Sequence, residues 1–328
     1  MTSSLMRHSS TGGIRLLALG GTISMSDSAK GAIPKLLANE LADFDERITS
    51  SVNVAFLGGS EIDFRVLSRL VNEIDKAITD GVAGIVVTLG TDAIEETAAW
   101  IACSGPWSIP IVITGSMIPG TRLGSDAMAN LVDAIDVASD SNATEPVVVF
   151  GGRIYLAYEV LKTSGLERMA FDAPGYGAVG TVVATGPRWH RKLTPWTFTL
   201  GRPGDDFPIV PILVACLGDS GSLIEYAARE SDMLVIAGNG AGNLPPGQAK
   251  AAINAASAGK LVVVVSRSPD FRAGPVYGYP GGSAMLEKND VILAYGLSPH
   301  RARIVLAIGY SQGITIEKLS EIFRSTSQ

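Results

Sequence analysis

The chain has 328 residues, enough for two domains that each bury a core. Hydrophobic residues make up 46% and charged residues 18%, a composition typical of a compact α/β enzyme and not of a disordered chain. The net charge of −6, without a basic run, argues against nucleic acid as a partner. Residues 1–13 are polar and lack the apolar segment of a signal peptide, and no later run is long enough to span a membrane. We therefore expect a cytoplasmic protein with no membrane partner.

The cysteines and histidines exclude two common kinds of site. Cys103 and Cys216 fit no metal-ligand spacing and lie in apolar surroundings, so we expect two buried free thiols. No histidine lies near a Gly-x-Ser-x-Gly turn, which argues against a serine–histidine triad. We expect no metal and no cofactor.

The first two predicted strands both end in glycine pairs followed by polar residues. A buried strand at 14–19 precedes Gly20-Gly21-Thr22, and a strand at 51–57 precedes Gly58-Gly59-Ser60-Glu61. Glycine pairs allow a sharp turn and a close approach to a ligand, although on the pair alone an ordinary strand–helix turn is the favoured interpretation. Apolar residues at helical spacing then predict a helix over 64–78.

The segment from Gly84 to Trp100 is the most informative in the chain. A β-branched run predicts a buried strand, which Gly90 ends. Asp92 stands where a helix N-cap belongs, with a glutamate three residues later, as in a capping box. Thr91 and Asp92 thus follow the carboxyl end of a strand, where α/β sheets bind ligands. The alternative is that Asp92 only caps the helix and Thr91 only turns the chain.

The next segments continue the alternation of strands and helices. Strands are predicted at 110–114 and 146–150, and between them Ser125 or Asp126 precedes a helix as a possible cap. Lys162 follows, and on pattern alone a lone lysine there reads as a solvated surface group.

A change of composition divides the chain. Residues 201–211 have the Gly/Pro/Asp content of a linker, so we predict domains at 1–200 and 212–328. The second domain carries predicted strands and helices in alternation, which favours a parallel sheet in each half. Its predicted elements are strands at 234–237 and 261–265 and helices at 246–258 and within 301–323.

Three segments together resemble the bacterial-type L-asparaginase/glutaminase family. They are Gly-Gly-Thr-Ile-Ser (20–24), Leu-Gly-Thr-Asp-Ala-Ile-Glu-Glu-Thr-Ala (89–98) and Thr-Gly-Ser-Met-Ile-Pro (114–119). Further matches follow in the family's order at 125–131, 160–163, 240–244 and 297–303. The resemblance implies a two-domain asparaginase-like α/β fold with a larger N-terminal parallel-sheet domain and a smaller C-terminal α/β domain.

The resemblance also implies an activity, the hydrolysis of L-asparagine to L-aspartate and ammonia through a threonine nucleophile. Thr22 matches the family's threonine that forms the acyl-enzyme. Lys162 matches a buried lysine that activates Thr91 together with Asp92. Such a base is needed because a threonine hydroxyl is a poor nucleophile at neutral pH.

The remaining implied residues bind the amide substrate. Ser60 and Glu61 resemble the pair that holds the α-carboxylate and the α-ammonium group. Asn243 resembles an asparagine that reaches the neighbouring chain's site, which implies a homodimer or homotetramer with shared sites. The implied set of binding residues is completed by Gly21, Gly90 and Ser116.

The chain departs from the family's pattern at several positions. Leu89 replaces a histidine, Ile118 stands where an arginine is common, and the usual acidic residue from the neighbouring subunit has no clear match. The loop after the first strand lacks its tyrosine, since the first tyrosine in the chain is Tyr155. Tyr277 and Tyr279 are candidates to supply the missing phenol, unless they only pack beside the proline that follows.

Two alternatives to an asparaginase therefore stay open. One is a related hydrolase retuned to another amide, a lactam or an ester. The other is a non-catalytic sensor that binds an amino acid. Retention of Lys162 argues against the sensor, because burying a lysine is unfavourable unless it acts.

Overall fold

The chain folds into two compact units in a computed structural model that describes residues 12–21, 23, 25–26, 33–34 and 38–325. The described residues up to Ala102, together with Pro106–Pro195, form the N-terminal unit. Cys103–Gly105 and the chain from Trp196 onward form the C-terminal unit. No helix among these described residues is long and apolar enough to cross a membrane.

The N-terminal unit is built on one large sheet and two short ribbons. Its strands are, in chain order, β1 (Ile14–Gly20), β2 (Met25–Ser26), β3 (Ile33–Pro34), β4 (Ile48–Leu57), β5 (Gly84–Thr88), β6 (Ile111–Thr114), β7 (Val147–Phe150), β8 (Arg153–Leu156), β9 (Leu161–Lys162), β10 (Phe171–Asp172), β11 (Gly180–Val183) and β12 (Gly186–Trp189). Eight of them form the sheet in the order β12-β11-β8-β7-β6-β5-β1-β4. The pairs β2–β3 and β9–β10 are separate antiparallel ribbons.

The prediction of a parallel sheet holds for one part of this sheet. Strands β4, β1, β5, β6 and β7 are parallel, as their buried β-branched sequences indicate. Beyond β7 the sheet is antiparallel and hence mixed. The reason is local: Gly151 and Gly152, with φ of 57° and 74°, form a two-residue hairpin turn that returns the chain beside β7.

The helices of this unit cover the sheet with apolar side chains. They are α1 (Ala38–Ala42), α2 (Phe64–Thr79), α3 (Ile94–Cys103) and α4 (Ala127–Ala138). Helix α2 begins at Asp63, whose carboxylate accepts a hydrogen bond from the Val66 amide. Helix α4 contributes Leu131 and Ile135 to a core that also contains buried residues of β5 and β6.

The C-terminal unit contains one parallel four-stranded sheet. Its strands are β13 (Ile212–Val214), β14 (Met233–Gly238), β15 (Leu261–Ser266) and β16 (Ile292–Leu293), in that spatial order. Its helices are α5 (Ser222–Glu230), α6 (Pro246–Ser257), α7 (Ser283–Glu287), α8 (Pro299–Ser311) and α9 (Ile316–Ser325). The predicted strands at 234–237 and 261–265 and the predicted helices in this part of the chain are confirmed.

The cysteine prediction is wrong for one residue. Cys103 is buried, its Sγ donates to the Phe198 carbonyl at 3.1 Å, and burial raises the pKa of its thiol. Cys216 is exposed, because it lies in the loop that follows the edge strand β13 and not within the sheet. Both are free thiols.

Candidate active site

Four glycines bring the ends of four parallel strands together. A Cβ atom built on Gly21, which follows β1, would lie 2.0 Å from the Gly90 nitrogen. One built on Gly90 would lie 2.8 Å from the nitrogen of Gly59, which follows β4. Gly115, after β6, packs equally closely on the Leu89 carbonyl, at 2.6 Å. Backbone therefore packs directly on backbone, and the polar residues that follow these strands share one sheet edge.

Three predicted residues meet at this edge. Lys162 Nζ lies 2.9 Å from Thr91 Oγ1 and 2.6 Å from Asp92 Oδ1, although Lys162 is 70 residues from Asp92 in the chain. Thr91 is 7% exposed and the Lys162 side chain 16% exposed, whereas the Asp92 side chain is 71% exposed. The arrangement places the nitrogen of one lysine against both a mostly buried hydroxyl and an exposed carboxylate.

Asp92 does not act as the predicted helix N-cap. Residues Thr91–Ala93 form a 3-10 turn capped by Gly90, and α3 begins only at Ile94. The Asp92 carboxylate is consequently directed to Lys162 and not to the amides of the helix. The local sequence pattern could not reveal a partner so far along the chain.

A short hairpin holds Lys162 in place. Lys162 on β9 pairs with Phe171 on β10, and the buried Tyr155 hydroxyl on β8 donates to the Phe171 carbonyl at 3.0 Å. Burial raises the pKa of Tyr155, which keeps the phenol protonated as a donor. The Phe150 and Phe171 rings also contact, with centroids 4.8 Å apart. No local pattern around Tyr155 indicates that it anchors the hairpin.

Ser60 and Glu61 lie in a 3-10 turn, Gly59–Glu61, directly after β4. Both are exposed, and Glu61 Oε2 accepts a hydrogen bond from the Gly58 amide at 2.7 Å. A Cβ on Gly59 would lie 3.2 Å from the Cβ of Asp92, so this turn adjoins the Thr91–Ala93 turn. The predicted binding pair therefore lies beside Thr91, Asp92 and Lys162, which we call the lysine cluster.

Ser116 is fully buried in the turn after β6. Its hydroxyl donates to the Ile118 carbonyl at 3.0 Å, so the side chain is engaged within its own turn. Asp126, predicted as a possible cap of α4, is at the N-cap position but makes no capping bond with its side chain. Its carboxylate instead accepts hydrogen bonds from the Met117 and Ile118 amides.

The other predicted residues belong to the C-terminal unit or lie outside the described residues. Thr22 is outside the described residues, although Gly21 before it and Ile23 after it are described. Asn243 belongs to the C-terminal unit, where its Oδ1 accepts a hydrogen bond from the Ser283 amide at 3.0 Å. The half-exposed rings of Tyr277 and Tyr279 have centroids 5.7 Å apart.

Both parts of the chain match known domain families. The family described as "Asparaginase, N-terminal" matches residues 13–195, and the "Glutaminase/Asparaginase C-terminal domain" matches residues 209–323. Together these ranges cover most of the chain.

Individual relatives match over nearly their full length. The "Probable L-asparaginase" of Deinococcus radiodurans is 32% identical, over 94% of this chain and 96% of the relative. The "Glutaminase-asparaginase" of Pseudomonas aeruginosa is 28% identical, over 94% and 89%. A crystal structure of a "Probable Cytoplasmic L-asparaginase" from Campylobacter jejuni superposes with a TM-score of 0.82 at 26% identity, over 95% of this chain and 99% of that one. The chain therefore belongs to the asparaginase family and has its two-domain fold, which makes it a hydrolytic enzyme.

Proposed function

We propose that the chain hydrolyses the side-chain amide of L-asparagine to L-aspartate and ammonia through a threonine nucleophile. The observation that carries this proposal is the contact of Lys162 Nζ with both Thr91 Oγ1 and Asp92 Oδ1. A threonine hydroxyl needs such a neighbouring base to attack a carbonyl at neutral pH. Membership of the family and the names of the relatives support asparagine as the substrate.

In the proposed reaction Lys162 Nζ, once it has given up a proton to solvent, takes the proton of Thr91 while the threonine oxygen bonds to the amide carbon. Asp92 stabilises the ammonium group that this transfer creates. Lys162 returns the proton to the departing nitrogen, the carbon–nitrogen bond breaks, and ammonia leaves a threonine ester. A water molecule, deprotonated by the same amine, then cleaves the ester and restores the hydroxyl.

Thr22 is the second candidate for the ester-forming residue, supported by the resemblance of its segment to the family. The two threonines are distinguished by stopping turnover with acid and mapping the peptides by mass. An acyl group on the peptide that contains Thr91 assigns the attack to that residue. An acyl group on the Thr22 peptide makes Thr91 and Lys162 the pair that activates the water.

The exposed turn at Ser60 and Glu61 supports an amino acid as the substrate. A hydroxyl and a carboxylate beside Asp92 match the α-carboxylate and α-ammonium groups of asparagine in hydrogen bonding and charge. Two departures favour a second candidate, a hydrolase for another amide, a lactam or an ester. They are Leu89, which is fully buried where the family usually has a histidine, and Ile118, where an arginine is common.

A substrate panel tests the proposal. Ammonia release from L-asparagine above that from L-glutamine and other amides supports it, and acid release from a lactam or an ester favours the second candidate. Thr91→Ala should abolish turnover, whereas Thr79→Ala, at the exposed end of α2, serves as a matched control. Calorimetric binding of asparagine without any ammonia release would identify a sensor.

We also propose that two or four copies assemble with shared sites and that the protein is cytoplasmic. The assembly is supported by the resemblance of Asn243 to the family's asparagine that reaches a neighbouring site. The cytoplasmic location is supported by the name of the Campylobacter jejuni relative. Asn243→Asp keeps the acceptor for the Ser283 amide and replaces only the amide donors, so it tests the contribution to a neighbouring site. Sedimentation of a fully active monomer would contradict the assembly.

A further inference from the structure

Asp126 binds the turn that follows β6. Its Oδ2 accepts a hydrogen bond from the Met117 amide at 3.0 Å, and its Oδ1 accepts one from the Ile118 amide at 2.9 Å. Both oxygens of one carboxylate therefore hold two successive amides.

Asn130, one helical turn later, connects the same carboxylate to two strand ends. Its Nδ2 donates to the Gly115 carbonyl at 2.9 Å and to Asp126 Oδ2 at 3.1 Å. Its Oδ1 accepts a hydrogen bond from the Gly151 amide at 3.0 Å. The residue is only 2% exposed, and both donor hydrogens and its acceptor are used. A buried polar group satisfied in this way allows one geometry and makes the others costly.

Two hydroxyls complete the arrangement at the Ile118 carbonyl. It accepts hydrogen bonds from Ser116 Oγ at 3.0 Å and from Ser125 Oγ at 2.9 Å. Between them, these contacts fix backbone groups of Gly115, Met117 and Ile118. We call Gly115–Ile118 the β6 turn.

The β6 turn lies directly against the nucleophile. A Cβ on Gly115 would lie 3.6 Å from Thr91 Cγ2, and the Leu89 amide donates to the Thr114 carbonyl at 3.2 Å. Displacement of the turn would therefore move one wall of the space around Thr91. A displacement of about 1 Å is enough to lower a turnover rate by up to about a hundredfold.

We propose that Asp126 and Asn130 are positioning residues, which fix the β6 turn against Thr91 and thereby set the geometry of the attack. Among the described residues, neither side chain makes a hydrogen bond to Thr91 or Lys162, so both act through the turn. The inference rests on the proposed hydrolysis and adds which residues align Thr91 for its attack.

The test is Asp126→Asn with Asp133→Asn as the matched control. Asp133 is on the same helix and is partly buried, and within the described residues its carboxylate makes no hydrogen bond. We expect Asp126→Asn to lower kcat by about tenfold and to change KM by less than about threefold, since alignment and not binding is lost. Hydrogen exchange should quicken at the Met117 and Ile118 amides and stay unchanged in β5. The control should match the wild type in kcat and KM, and its exchange at the Met117 and Ile118 amides should not quicken.

Several outcomes would overturn the proposal. Faster hydrogen exchange in the β6 turn with unchanged kcat would show that the position of the turn does not affect turnover. Unchanged hydrogen exchange would show that Asp126 does not hold the turn. An equal loss of kcat in Asp133→Asn would point to a general effect of the helix. If Asp126→Asn does not fold, Ser125→Ala removes one hydroxyl from the Ile118 carbonyl and should lower kcat about threefold, and an unchanged kcat there refutes the proposal.

The proposed function fails in a different way. A wild-type enzyme that hydrolyses no substrate of the panel would refute the hydrolysis. The exchange measurement then still decides whether Asp126 holds the β6 turn, because it needs no substrate.

Discussion

Replacement of Lys162 by methionine is the most direct test of the lysine cluster. Methionine keeps an unbranched side chain of similar length and removes the amine that contacts Thr91 and Asp92. General acid–base groups contribute about 10² to 10⁴ in rate. Loss of the amine should therefore lower kcat by at least about a hundredfold, which corresponds to a barrier about 2.7 kcal/mol higher.

The effect on stability should be much smaller. The Asp92 side chain is 71% exposed, and ion pairs with exposed groups contribute about 0–1 kcal/mol. The hydrogen bond to Thr91 contributes a further amount of about 0.5–1.5 kcal/mol. Lys162→Met should consequently remain folded at room temperature while it loses turnover. This difference separates a chemical role from a structural one.

A matched control exists in the C-terminal unit. Lys260 Nζ lies 2.6 Å from Asp232 Oδ1, and this pair is exposed to a similar degree. Lys260→Met should lose comparable stability and keep full activity. The assay is ammonia release under saturating substrate, with thermal unfolding measured in parallel.

The double variant Thr91→Ala/Lys162→Met provides the stricter criterion. Residues that act as one unit give non-additive losses, so the double variant should be no slower than the slower single variant. Near wild-type turnover of Lys162→Met, or strictly additive losses, would refute the reasoning.

Three further predictions follow from other parts of the chain. Gly21→Ala should unfold or severely destabilise the protein, because the new Cβ would lie 2.0 Å from the Gly90 nitrogen after β5. Gly81→Ala is the control, since Gly81 has a similar φ but open space around it, and its unfolding temperature should fall far less. Burial, with the charge of a neighbouring carboxylate, raises the pKa of Asp133, so its charged form costs stability above the unfolded pKa of about 3.9. Asp133→Asn should raise the unfolding temperature at about pH 7 and leave it unchanged at about pH 3, where the acid is neutral in both states. If a phenol replaces the missing loop tyrosine, Tyr277→Phe or Tyr279→Phe should lower kcat with little change in KM, and unchanged kinetics in both variants would exclude this role.

Much of the fold was predictable from local patterns. Strands such as β5 and β14 are buried on both faces, so their sequences are continuous apolar runs that need no knowledge of their neighbours. The antiparallel half of the N-terminal sheet was missed, although Gly151 and Gly152 are visible in the sequence. A glycine pair after a strand permits either a hairpin or a turn into a helix. Which of the two forms depends on whether the residues after the glycines pair with the strand before them.

The candidate site was predictable in part for a similar reason. Strand ends with polar residues indicated Thr91 and Asp92, because parallel strands present their carboxyl ends at one edge. Lys162 alone reads as a surface lysine, and only the resemblance to a family connected it to them. The double role of Asn130 was invisible, since its partners at Gly115 and Gly151 come from two different strands.

The four packed glycines also restrict how this catalyst can diversify. At Gly21, Gly90 and Gly115 a Cβ atom would collide with neighbouring backbone, so these three positions cannot change to a larger residue without moving the strand ends. New substrate preferences must therefore arise at the periphery, in the turn with Ser60 and Glu61 and in residues such as Ile118. Libraries for altered specificity should leave the glycines fixed and randomise that periphery alone.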